Sequence, residues 1–336
     1  MKNDLLVSVL VPVYGVEQYI ERCARSLFGQ TYSNVEYVFV NDCTPDKSVE
    51  VLQRVLEDYP NRKVSVKIVN HEKNRGLAAA RNTALNNATG EFVCHVDSDD
   101  WLELDAIEKL VEKQLETGAD MVSGNMLVHT IRGVEEYYEP NYKNKEERLL
   151  RQLPASMDHN LSRRIIRRSL FEDNHIRAME GCNMAEDLYF MVRICWFAEN
   201  FGTVDSIVYH YDLNRPNSYT RESNAKKRVD NQMQLVRNWV GVVGFLADKG
   251  EVYYANAISY MASSVKEALR LTLKFRMRPS FEQLAEIIYG NKALMEKLGW
   301  KNNAFGGLSQ SYPVMRLGNM KDRAVAFIRL RMKKTH

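Results

Sequence analysis

Two patterns alternate along the first 125 residues. Short apolar runs rich in β-branched side chains fall at 7–13, 35–40, 64–69, 92–96 and 121–123. Between them, apolar positions recur at helical spacing near 16–28, 46–58, 77–87 and 104–117. Near-continuous apolar strands alternating with helices predict an α/β fold, a mostly parallel sheet with helices on both faces. Thr44-Pro45-Asp46 reads as a helix start, because Thr can cap and Pro is tolerated at the first helical position. Gly118 reads as the stop of the helix that ends at Thr117. After residue 130 the pattern weakens. Residues 131–160 are polar and irregular, 184–198 read as a helix and 202–211 as a strand. From Ala225 onward the chain reads as helical, near 226–248, 252–276, 281–297 and 319–333.

The chain has 336 residues, 45% hydrophobic and 26% charged, which excludes a disordered or low-complexity protein. Lys and Arg number 46 against 43 Asp and Glu, so no global basic field points to nucleic acid. The charge is unevenly placed. Residues 312–336 carry seven basic side chains and one acid, Asp322, a net of +6 that leaves −3 on the remainder. Five cysteines, an odd number with no close pairing, fit reduced thiols in a cytosolic protein. Met1-Lys2-Asn3-Asp4 leads into an apolar strand without a signal-peptide core. The longest uncharged apolar run, 252–265, is too short to span a bilayer.

Ligands of such sheets bind beyond the carboxyl ends of the strands. Four of those ends carry Tyr14-Gly15, Asn41-Asp42, Asn70-His71 and Asp97-Ser98-Asp99-Asp100, which the fold would bring to one edge. Three carboxylates at the end of a buried strand repel one another, and Mg²⁺ or Mn²⁺ suits such oxygen ligands. An acidic turn that starts the helix after Trp101 is the alternative. Arg163-Arg164 and Arg167-Arg168 can be read as a phosphate site or as the solvated basic face of a helix. His210, at the end of a predicted strand, reads either as a ligand of a metal or phosphate group or as a structural histidine.

Taken in order, 7-VSVLVPVY-14, Gln30-Thr31-Tyr32, Asn41-Asp42, 74-NRGLAAARN-82, Asp97-Ser98-Asp99-Asp100 and Glu186-Asp187 resemble the family-two glycosyltransferases with the GT-A fold. The resemblance covers residues 5–220 and is most specific over 5–125. It implies an inverting, nucleotide-sugar-dependent enzyme. Pro12, Tyr14, Asp42, Arg81, Asp97 and Ser98 would bind the nucleotide-sugar, with Tyr14 stacking on the base and Asp42 hydrogen-bonding it, typically uracil. Asp97 and Asp99 would hold Mn²⁺ or Mg²⁺ on the diphosphate, with His210 a further candidate ligand. Asp100 is kept as well, because the carboxylate pair can be read in either register. Asp187 would be the general base, with Glu186 beside it; both could instead simply start a helix. The chain departs from the family at Gly15, where Asn is frequent, and at Asn41-Asp42-Cys43-Thr44, where Asp-Asp-Gly-Ser is frequent.

The expected organisation is a catalytic GT-A domain over 1–220, with a nucleotide-sugar half at 5–125 and an acceptor half at 126–220. A helical region follows at 221–336. The expected acceptor is a glycan or lipid-linked glycan of surface polysaccharide synthesis. Residues 312–336, apolar at mostly three- and four-residue spacings with a basic face, could lie on an anionic membrane or dock on the body. This predicts a cytoplasmic protein, peripheral on the membrane where the tail engages lipid. A haloacid-dehalogenase phosphatase is disfavoured, since it wants Thr or Val where Trp101 stands and its motif on the first strand. A dinucleotide-dependent dehydrogenase lacks its glycine fingerprint here. The remaining rival is an inactive nucleotide-sugar-binding or scaffold subunit with the same fold.

Overall fold

A computed structural model describes residues 5–140, 142, 144–154, 157–214 and 224–298. The chain divides into two compact units, 1–216 and 217–336. In the first, β1 (Val7–Val13), β2 (Val35–Asn41), β3 (Val66–Asn70) and β4 (Phe92–His95) form a parallel block in the order β3-β2-β1-β4. Every side chain of β1 is buried, as a central strand covered on both faces requires. Val7, Val9, Val11 and Val13 point to one face and share a core with α1 (Ile20–Phe28), α2 (Ser48–Glu57) and α4 (Ala106–Thr117). On the other face, α3 (Leu77–Asn86) turns inward the small side chains Ala78, Ala79, Ala80 and Ala84.

The sheet continues past β4 and becomes mixed. β8 (Arg164–Arg167) runs antiparallel between β4 and β6 (Met121–Thr130), and β6 pairs in parallel with β9 (Phe201–Asp212). The short β5 (Trp101–Leu102) closes the order beside β9, and β7 (Gly133–Tyr137) forms a hairpin with β6. The parallel expectation therefore holds for the first four strands, while the second half is antiparallel at most of its pairings. The 131–160 stretch also holds α5 (Lys145–Arg151). The hairpin escaped the pattern because Glu135 and Glu136 of this outer strand are exposed and no apolar alternation marks it.

Local signals explain the remaining boundaries. Gly118 adopts the left-handed conformation, φ 66°, and caps α4 as expected. Thr44, by contrast, does not cap α2, which begins only at Ser48; its hydroxyl donates to Asp46 and accepts from Gly15 N–H. Two short helices, α6 (Arg168–Asp173) and α7 (Glu186–Phe197), follow β8.

The second unit, described over 224–298, is helical: α8 (Ala225–Leu246), α9 (Glu251–Lys274), α10 (Arg278–Tyr289) and α11 (Lys292–Leu298). Val229, Met233, Val236 and Val243 of α8 are buried, as are Ile258, Met261, Val265 and Leu269 of α9, at the spacing of one helical stripe. The stretch read as one helix over 281–297 is two, because Gly290 ends α10 and the Asn291 side chain accepts from Leu294 N–H to begin α11. The basic stretch 312–336 lies outside the described residues. No helix among the described residues is long and apolar enough to cross a membrane.

Candidate active site

The ends of β1, β2 and β4 bring the predicted residues together. Pro12 shares the β4 side of β1 with Leu10, whose carbonyl accepts from Val96 N–H. β4 has ended at His95, so the missing proline N–H breaks no ladder bond. Tyr14, the next residue after β1, is 46% exposed and offers an open ring at the strand end. Asp42 lies at the end of β2, tied to β1 by its own N–H bond to Val13 C=O, and is only 2% exposed. Its Oδ1 accepts from Arg75 N–H at 2.8 Å and its Oδ2 from Gly76 N–H at 2.7 Å. His71 Nδ1 stands 2.6 Å from Oδ1, and its Nε2 stands 2.9 Å from Thr83 Oγ1.

Gly76, at φ 88°, has the Asn183 amide so close that a Cβ would meet it at 2.3 Å. Asn183 Oδ1 in turn accepts from Ala78 N–H, and Asn82 exchanges two hydrogen bonds with the Ala178 backbone. The Asn-Arg-Gly segment is thus a clasp between α3 and the loop that leads into α7. Cys43 takes φ 56°, a left-handed backbone at the position where the family often carries glycine.

Arg81 is the hub of the site. Nε donates to Glu186 Oε1 at 3.1 Å and the terminal nitrogen Nη2 to Asp97 Oδ1 at 2.8 Å, while Nη1 is buried without a partner. Burial pulls its pKa down, but Asp97, then Glu186 and Asp187, outweigh it and raise the pKa overall. Neither Arg81 nor its neighbours form a solvated helix face. Arg75, in contrast, is exposed and bonds both oxygens of Glu180.

Asp97 is partly open, with Oδ2 lying 3.5 Å from the Ser162 hydroxyl. Ser98 is buried. Asp99 is partly exposed, and its carbonyl accepts from Arg22. Asp100 differs from both: it is 1% exposed, accepts from Tyr209 O–H at 2.5 Å and from Asp212 N–H at 2.8 Å. Burial first, then Asp99 and Asp97, push its carboxyl well above the usual range. Asp100 is therefore a bolt between the acidic turn and β9, and the open pair is Asp97 and Asp99.

His210 does not face that pair. Its Nδ1 lies 3.0 Å from His129 Nε2 and its Nε2 lies 2.7 Å from Glu103 Oε1, so both ring nitrogens are engaged. Its ring stacks on Trp101, 4.6 Å between centroids at 10°, and Arg22 covers the other face of Trp101. The reading of His210 as a metal ligand is corrected on that ground. The arginine pairs are corrected too. Arg163 and Arg164 are fully buried around Glu139, with Arg148 as a third partner. Arg167 pairs with Glu91 and Asp120, and Arg168 binds the Gly90 carbonyl. These four side chains tie the sheet together and offer neither a phosphate site nor a solvated helix face.

Glu186 and Asp187 open α7 from Ala185, a non-glycine residue at φ 61°. Strain of this kind persists only where the surroundings enforce it. Glu186 is buried, and its pKa is pushed up to about 7, by burial first and then by Asp187, against the pull of Arg81. The pull of Arg81 is shared, since its stronger electrostatic partner is Asp97. Asp187 is 27% exposed; its Oδ1 accepts from Leu188 N–H at 2.8 Å, and its Oδ2 faces His159 Nε2 at 3.8 Å. His159, Ser162, Asn183 and Tyr209 escaped the sequence reading, whereas His71 was placed at the site by its strand end but given no role there.

The open carboxylates fit a divalent cation. Among the described residues no three histidine, cysteine or carboxylate side chains converge as a ready-made cage. Mg²⁺ and Mn²⁺ do not need one, since one or two carboxylates together with substrate phosphates and waters commonly suffice. The negative field is evident in its effect on neighbours. After burial, Asp97 and Asp99 help to raise Cys23 and Asp100, and Tyr211 rises with the same carboxylates among its causes.

The family model of glycosyl transferase family 2 matches residues 8–174. Bacillus subtilis EpsJ, an uncharacterized glycosyltransferase, is 32% identical over 88% of this chain and 93% of its own length. The chain therefore belongs to glycosyltransferase family 2. Glycosyltransferase GlyA of Streptococcus pneumoniae is 42% identical over 43% of the chain, which spans only 21% of that longer protein. The poly(ribitol-phosphate) β-N-acetylglucosaminyltransferase TarS of Staphylococcus aureus, residues 1–349 solved with UDP-GlcNAc, has a similar fold. Its TM-score is 0.67 at 20% identity, over 99% of this chain and 93% of that one. The fold is GT-A with a helical C-terminal region.

Proposed function

We propose that this glycosyltransferase moves a sugar with inversion from a nucleoside-diphosphate sugar, a UDP-sugar by the chemistry of its base site, to an acceptor hydroxyl. The observation that carries the reading is the single constellation formed by Arg81, which binds Asp97 of the acidic turn and Glu186 beside Asp187. Tyr14 and Asp42 bind the base, while Pro12 and Ser98 shape the strand ends around the donor. Asp97 and Asp99 would hold Mn²⁺ or Mg²⁺, which supplies charge neutralisation for the leaving diphosphate. Arg81 fixes Asp97, and Asp187 accepts the proton of the acceptor hydroxyl. That oxygen bonds to the anomeric carbon as the carbon–oxygen bond to the diphosphate breaks. Glu186, its carboxyl pushed up to about 7 chiefly by burial, is partly protonated near neutral pH, which lessens the negative charge beside the base.

The acceptor is a glycan or lipid-linked glycan of surface polysaccharide synthesis, a reading supported by the polymer that TarS is named for. The basic segment 312–336 would place the protein at the cytoplasmic face of an anionic membrane. Asp187→Asn tests the reading. Donor binding is expected to persist while transfer falls by about two orders of magnitude or more. Metal-dependent donor binding without turnover by the parent protein, across a broad acceptor panel, would favour the inactive subunit. Near-normal transfer by the variant would move the base elsewhere.

A further inference from the structure

The unexplained feature of the donor site is how fully Asp42 is occupied. A carboxylate offers about four acceptor positions. Three are taken: His71 Nδ1 and Arg75 N–H lie on Oδ1, and Gly76 N–H lies on Oδ2. The carboxylate oxygen can only accept, so Nδ1 carries the proton, and Thr83 Oγ1 fixes the opposite edge of the ring. His71 is itself nearly buried, so the ring has one orientation, set by partners on β2 and α3.

We propose that His71 is a specificity-determining positioning residue of the donor site, one that leaves Asp42 a single free acceptor position on Oδ2 and so selects a base with one ring N–H. This rests on the reading of Asp42 as the residue that meets the base. Uracil presents N3–H flanked by two carbonyls and needs one acceptor. Guanine presents N1–H and the exocyclic amino group side by side, a pair that fits a carboxylate with a free position on each oxygen. With Oδ1 filled by His71 and the Arg75 amide, the second guanine donor has no partner, and an unmet polar group in a closed site is costly. Adenine and cytosine present a bare ring nitrogen next to the amino group, which would set lone pair against lone pair. His71 acts on the base only through Asp42.

The test is equilibrium binding of UDP and of GDP, with Mn²⁺ present, to the full chain and to His71→Leu, His71→Asn and Thr83→Val. Leucine fills the space but cannot donate. It should weaken UDP about tenfold while sparing or improving GDP, so that the UDP-to-GDP preference falls at least tenfold. Asparagine, whose amide can replace the Nδ1 donor, should restore most of the preference. Valine at 83 frees the far edge of the ring and should give an intermediate loss, and it remains informative where the leucine variant does not fold. Steric damage alone would lower both nucleotides together, which would overturn the proposal, as would an unchanged preference in the soluble variants. If the parent chain binds UDP and the variants bind it equally, the inference fails and the donor reading stands. If the parent binds neither nucleotide, the donor reading fails and takes the inference with it.

Discussion

Glu186→Gln should make this protein more stable, and only at higher pH. In the folded chain the Glu186 carboxyl is shut from water beside Asp187, which pushes its pKa from 4.5 up to about 7 despite Arg81. The unfolded chain releases that proton near the ordinary value. Between about pH 4.5 and 7 the folded state therefore holds more protons, and stability falls as pH rises through that window. The distance from 4.5 to about 7 corresponds to about 3 kcal/mol between the protonation states. Nearly all of it is expressed by pH 8 and little by pH 5.

Glutamine has the shape of the protonated acid and keeps a carbonyl oxygen for Arg81 Nε, so it removes the penalty without opening a cavity. The variant should match the parent near pH 4.5 and exceed it by about 2–3 kcal/mol at pH 8. For a domain of roughly 200 residues that is a rise in Tm of roughly 5–10 °C. Parallel thermal melts of both proteins at half-unit steps from pH 5 to 8 give the difference curve, in which groups titrating alike in the two proteins cancel. A variant less stable than the parent at pH 8 would refute the reasoning. It would mean that the Arg81–Glu186 ion pair outweighs burial.

Two further outcomes follow from the site and the tail. Asp99→Asn should abolish the Mn²⁺-dependent gain in Tm given by nucleotide while changing the melting of the bare protein little, because the side chain is partly exposed; a variant that keeps the gain would remove Asp99 from the metal site. Deletion of 312–336 should abolish salt-sensitive co-sedimentation with anionic liposomes, and equal binding with and without the segment would remove the membrane from the account.

The parallel half of the fold was legible because the order is local. Each strand is a short, mostly apolar run, and each strand end displays its polar residues within a few positions of the turn. Arg163 and Arg164 were illegible for the opposite reason. Their partner Glu139 lies 24 and 25 residues upstream in a polar stretch, and nothing in a run of arginines says whether a carboxylate will be folded over it. His210 misled because a histidine at a strand end near acids invites a metal, whereas the partners that occupy it come from β6 and from the residue after β5. Asp99 and Asp100 are adjacent in sequence and equivalent in chemistry. Only the pairing of β5 with β9, which brings Tyr209 O–H and Asp212 N–H onto Asp100, separates a buried bolt from an open carboxylate.

That separation explains how five acids can share one site with so little basic charge. Asp97, Asp99 and Asp100 share the acidic turn, and Arg81 links Asp97 to Glu186 beside Asp187, so the cost of so many like charges must be met somewhere. Burial decides where. Asp100 and Glu186, the two closed from water, are the two driven toward the neutral acid. The carboxylates left facing solvent are Asp97, Asp99 and Asp187, and Arg81 balances one of them through Asp97. What Arg81 leaves unbalanced is negative charge at both the acidic turn and the head of α7. On the proposed function a divalent cation would meet the first, and the proton of an acceptor hydroxyl would meet the second. The same burial pattern thus leaves open Asp97 and Asp99, the pair proposed for a metal, and Asp187, the carboxylate proposed as the base.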